Sequence, residues 1–193
     1  STFSNTHVGS GAWTNAVTVS QTNDPDGVRL TLGRSQTGAS PGSGTVRADY
    51  TVDNASHAAW IIHEVTGHDT AAPISESSSG GVSTGTTLSV SVASVAAGNL
   101  AVSAGYARGA AAITVGTGET ELSEATSTGV TEHRIQVQYS TDAAHDWAWT
   151  GSNQNLGVIV EIAQAAGGAA FDLDRVERYF GRGYGRGYAR SMG

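Results

Sequence analysis

The chain has no cysteine and no lysine, and it holds no apolar run long enough to span a bilayer as a helix. Without cysteine there is no disulfide framework, which excludes a small scaffold stapled for the extracellular space. A spanning helix needs about 18 or more consecutive apolar residues, so no membrane partner is expected. All ten basic residues are arginines, set against 17 acids, for a formal charge of −7. Neutralising phosphates takes a basic face, so the body of the chain is not expected to bind nucleic acid.

What is abundant points to strands. Glycine occurs 26 times among many Ser, Thr, Ala and Val residues. Glycine and β-branched residues are poor helix formers, and the β-branched ones suit a pleated sheet. Turn signals recur at short intervals: NDPDG (23–27), TGASPGSG (37–44), ESSSGG (76–81), AAGN (96–99), GTGE (116–119), ATSTG (125–129) and GSNQN (151–155). Between them lie strand-like runs at 16–20, 27–33, 45–52, 58–65, 87–94, 99–107, 132–140, 145–151 and 156–164. Several alternate cleanly, as Leu88, Val90 and Val92 do against Ser89 and Ser91. With 193 residues, this pattern predicts one all-β domain over 1–166, an antiparallel β-sandwich or jelly roll. YTVDNASHAAW (50–60) has a loose echo in YSTDAAHDWAW (139–149), which would suit two similar facing meanders.

The composition changes after AQAAGGAA (163–170). FDLDRVERYF (171–180) reads as a short helix, with Asp172 as cap and Gly181 as stop. GRGYGRGYARSMG follows. Residues 171–193 carry five arginines and three acids, whereas 1–170 carry five arginines and 14 acids. A docking segment is the expectation for 167–193. Phe171, Tyr179, Phe180, Tyr184 and Tyr188 would anchor it, and Arg182, Arg186 and Arg190 would pair with acids on a neighbouring subunit. Packing of this segment on its own chain and stacking on single-stranded nucleic acid are the alternatives.

Three groups of residues invite a catalytic reading. His63, Glu64 and His68 approach the zinc-protease pattern, but that pattern needs two His four apart on a helix. A spacing of five puts them about 140° apart on a helix and on opposite faces of a strand. Residues 58–66 are expected to be a buried strand leaving into a Gly-His-Asp turn closed by Pro73. GASPG (38–42) and GVSTG (81–85) match the nucleophile-elbow pattern around Ser40 and Ser83, yet lack a following helix. Glu119, Glu121 and Glu124, like Asp24 and Asp26, fit edges and turns of a sheet. His57, His68 and His145 near Asp residues fit loop polarity. No catalytic residue, metal or cofactor is expected.

Three longer stretches carry a resemblance: HAAWIIHEVTGHDTAAPI, SVASVAAGNLAVSAG and DWAWTGSNQNLGVIVEIAQA. Together they resemble β-sandwich proteins encoded in bacteriophage structural modules. Glu64, Gly67, Asp69 and Pro73 match a strand-ending turn, Gly98, Asn99 and Leu100 a hairpin, and Val158 to Ile162 a closing strand. The resemblance spans 12–165 and implies a sandwich fold and a virion setting, as head decoration, fibre or tail component. Its partners would be capsid or tail subunits and copies of itself, assembled in the bacterial cytoplasm, with host surface glycans as a further ligand. The Gly-Arg-Tyr tail departs from that pattern. The alternative is a carbohydrate-binding module with Trp13, Trp147 or Trp149 as its aromatic platform.

Overall fold

A computed structural model describes residues 2–5, 13–21, 28–36, 45–49, 57–109, 112–127, 133–182 and 187–190. Its strands are β1 (Thr2–Asn5), β2 (Thr14–Gln21), β3 (Val28–Arg34), β4 (Thr45–Asp49), β5 (His57–Thr66), β6 (Ile74–Ser91), β7 (Leu100–Arg108), β8 (Thr114–Val115), β9 (Thr120–Ser127), β10 (His133–Ser140), β11 (Ala144–Ile162), β12 (Asp172–Arg182) and β13 (Gly187–Arg190). Every pairing among them is antiparallel. The main sheet runs β6-β11-β7-β10-β9, with β8 beside β11. Three smaller groups are β2-β3, β5-β12 and β1-β4-β13.

Strand β7 explains the layering. Period-two alternation puts Leu100, Val102, Ala104 and Tyr106 on one face and Ala101, Ser103, Gly105 and Ala107 on the other. The large residues join a core with Leu156, Val158, Val160 and Ile162 of β11, closed by Leu30 of β3. Val17 and Val19 of β2, Ile61 and Val65 of β5, and Phe171 and Leu173 pack against it. The small residues face a second core made by Leu88, Val90, Trp147, Trp149 and Ile159.

That second core exists because β6 and β11 fold back across their own sheet. Their pairing slips at Ala148/Asn153 and again at Asn153/Asn155, and Gly151 takes a φ of +85°. Bulges of this kind bend a strand pair sharply. Beyond the bend, the cross-strand pair Leu88–Trp147 lies over three glycines that are themselves paired side by side: Gly80, Gly157 and Gly105. A Cβ on Gly105 would stand 2.7 Å from the Trp147 ring, and one on Gly157 would stand 2.8 Å from Val90 Cγ1. A bare backbone row across three strands is what lets the folded-over half settle.

Several sequence expectations are corrected here. Residues 76–81 and 151–155, expected as loops, lie inside β6 and β11. Their Ser and Gly residues mark close approach and bulging rather than chain reversal. Residues 171–180, expected as a helix, belong mostly to β12, which pairs with β5 from Asp172↔Thr66 to Arg182↔His57. The apolar strand β5 offers backbone groups that must be paired, and tertiary pairing overrides a weak local helix preference. The echo between 50–60 and 139–149 does not extend to pairing, since β5 joins β12 whereas β11 joins β6 and β7.

Gly105→Ala is expected to cost about 1–3 kcal/mol, the usual penalty for overpacking a filled interior. A urea titration reads it directly; an unchanged midpoint would mean that the indole has room to move.

Candidate functional site

The three stretches that carry the family resemblance, distant in sequence, meet at one end of the main sheet. Gly67 turns the chain out of β5 with a φ of +82°. The Asp69 carboxylate then accepts from the amides of Ala71 (2.7 Å) and Ala72 (3.2 Å), fixing the turn. His68 Nδ1–H donates to the Val65 carbonyl at 2.9 Å. The turn is stitched to the end of β11 by Asp69 N to Ala163 O (2.8 Å), Ala163 N to Pro73 O (3.0 Å) and Ala165 N to Gly67 O (2.9 Å).

Glu161, only 5% exposed, completes this clasp. Its carboxylate accepts from the Ser75 hydroxyl (2.6 Å), the Ala96 amide (2.7 Å) and the Asn99 side-chain amide (2.7 Å). Asn99 also accepts from the Gln164 amide at 3.0 Å. Burial pushes the Glu161 carboxyl up, but these three donors together outweigh it and hold the group below its ordinary value. The buried anion therefore ties β11 to β6 and to the turn before β7, while backbone bonds tie the exit of β5 to the end of β11.

Beside the clasp, a cavity of about 320 Å³ opens between β3, β5 and the large-residue face of the sheet. That volume lies at the lower end of small-molecule sites. Alternation along β5 turns Ile61, His63 and Val65 toward the sheet and Glu64 outward, where it is exposed. His63 Nε2 meets the buried Ser123 hydroxyl at 2.9 Å. On β3 the same alternation aligns Arg34 with Leu30 and Leu32. Gln36 Nε2–H reaches the Thr70 carbonyl at 2.5 Å and ties the end of β3 to the clasp. His63, Glu64 and His68 thus face three different surroundings.

The remaining candidate residues are dispersed. Ser83 falls within β6, and Ser40, Asp24 and Asp26 lie outside the described residues. Glu119 accepts from the Asp146 amide (2.8 Å), Glu121 from Gln136 (3.1 Å), and Glu124 pairs with Arg134. Trp147 and Trp149 are 1% and 7% exposed, so neither offers the free ring face that stacking on a sugar requires. Trp13 is half-buried and lines the cavity.

Of the expected docking residues, Phe171 is half-buried against the core. Tyr179, Phe180 and Arg182 lie on β12 opposite Trp60, Ala59 and His57. Tyr188 and Arg190 lie on β13 opposite Arg47 and Thr45. Tyr184 and Arg186 fall outside the described residues. The sequence reading missed the cavity, although the alternation in VRLTLGR already aligned Arg34 with two leucines.

The chain matches no family model, no curated protein and no solved structure.

His145 was read as loop polarity and is instead fully buried between the layers. Its Nδ1 lies 2.6 Å from the Ser103 hydroxyl and its Nε2 3.1 Å from that of Ser140. Burial lowers its pKa from 6.5, against the opposing pull of Asp142 and Asp146. The unfolded chain then binds the extra proton first, so stability falls as pH drops below about 6.5. Burial and nearby acids raise Glu119, which works the other way near ordinary carboxylate values. Urea midpoints from pH 7.5 to 5 should therefore decline in the wild type and flatten in His145→Gln. Parallel slopes in the two proteins would assign the pH dependence elsewhere.

Proposed function

We propose that this chain is a non-enzymatic structural protein of a bacteriophage particle, a β-sandwich displayed on the head or tail surface. The clasp is the observation that carries this reading. Glu64, Gly67, Asp69 and Pro73, then Gly98, Asn99 and Leu100, then Val158 to Ile162 resemble one family pattern. They converge in space on one hydrogen-bonded junction around Glu161 and the Asp69 turn. Residues that serve to lock strands together support a likeness of architecture, which is the level at which the resemblance operates.

The layered packing supports the sandwich within this proposal. The small-residue face of β7 takes the folded-over half of β6 and β11, and its large-residue face takes β2, β3 and β5. Retention in the particle would rest on many copies, each with a modest interface that avidity amplifies. The basic segment 171–193 opposes an acidic remainder, which suits contact with neighbouring copies. The competing carbohydrate-binding reading loses two of its three aromatic residues to the core.

Gradient sedimentation of a native lysate, followed by mass spectrometry across the fractions, tests this. The chain is expected to co-migrate with particles far larger than its own 19.6 kDa. Recovery solely as a free low-mass species would overturn the proposal.

A further inference from the structure

The cavity beside β3 has a chemistry that the structural role does not use. Its walls are aliphatic, with Leu30, Leu32, Ile61, Val102, Val137 and Val160 among them. No Asp or Glu belongs to its described lining. Yet Arg34, half-buried and on the inward face of β3 with Leu30 and Leu32, lines it. Arg29 lines it too, but is exposed and donates to Ser20 at 3.2 Å. Among the described residues, no hydrogen bond or ion pair engages the Arg34 guanidinium. Among the described residues this leaves a cation without a carboxylate beside an apolar hole. Arginine's planar fork matches a carboxylate in two parallel hydrogen bonds.

We infer that the cavity binds a medium-chain carboxylate, its hydrocarbon among Leu30, Ile61 and Val160 and its head on Arg34. A volume of 320 Å³ at about 30 Å³ per water-sized group accommodates roughly ten groups in a row, the size of a single chain rather than a two-chain lipid. Gln36, which also lines the cavity, is held by its hydrogen bond to the Thr70 carbonyl. His63 is already engaged with Ser123 and contributes wall rather than head-group contact. The inference does not depend on the particle role, and its failure leaves that role untouched.

Calorimetric titration of the full chain with hexanoate, octanoate, decanoate and decanol tests it. Affinity should rise about three- to fourfold per methylene up to decanoate. Arg34→Gln should weaken decanoate about tenfold or more, the worth of a hydrogen bond to a charged group, and leave decanol unchanged. Ile61→Trp should fill the cavity and abolish both, with unfolding midpoints confirming that each variant is folded. Absence of decanoate binding at millimolar concentration, or an Arg34→Gln variant that binds decanoate like the wild type, would overturn the assignment. So would sedimentation with phosphatidylglycerol vesicles by a protein that ignores free decanoate, because the ligand would then be a membrane surface.

Discussion

Everything on the small-residue side of the main sheet depends on one steric constraint: Trp147 must lie against a backbone that carries no side chains. Gly105 on β7 takes the ring, and Gly157 and Gly80, paired beside it on β11 and β6, take Leu88 and Val90. Burying an indole removes about 150–250 Å² from water, worth roughly 4–6 kcal/mol at about 25 cal/mol per Å². The Trp147 Nε1–H finds no acceptor among the described residues, which costs about 1–3 kcal/mol. Packing exceeds the polar loss, so the ring stays inside. The bend in β6 and β11, the seating of Leu88 and Val90, and the burial of His145 all follow from that placement.

The same interlayer space holds more polar groups than a plain hydrophobic core would. Ser103, Gln136, Gln138, His145 and Asn155 are all buried there or beside it. Several are paired: His145 with Ser103 and Ser140, Gln136 with the Ile113 carbonyl, and Gln138 with the Asp146 carbonyl. Such groups are costly unless partnered, and the partners lie on different strands. They tie the folded-over half to one position, whereas apolar contact alone would tolerate sliding.

The clasp and the cavity beside it are built differently. At the clasp, a buried carboxylate gathers three donors from two chain segments, and the backbone of the Asp69 turn is bonded to the end of β11. Next to it, among the described residues, the space under β3 holds neither a filling side chain nor an ion pair for Arg34. A tightly hydrogen-bonded frame beside a cavity is an arrangement in which a ligand enters without disturbing the strand pairings. The two proposed roles, structural and ligand-binding, therefore make no conflicting demands on the strand pairings.

The period-two alternation in TLSVSVAS and EHRIQVQYS, and turn residues such as those at 96–99 and 116–119, determined by themselves that this chain is all-β and antiparallel, because strand periodicity and turn chemistry are local. The strand 58–66 and its Gly-His-Asp exit were legible for the same reason, as were the short motifs of the clasp. Their meeting around Glu161 was not, since Ser75, Ala96 and Asn99 reach it across 62 to 86 residues of sequence. Only the tertiary structure turned 76–81 and 151–155 from loops into strand, because a glycine row is meaningful only once a second layer lies on it. It also recruited residues 172–182 as a strand, since β5 offered a long-range partner that local helix preference could not foresee. Arg34 beside two leucines was visible in the sequence, but the cavity they face depends on how β3 and β5 stand above the sheet, which packing alone decides.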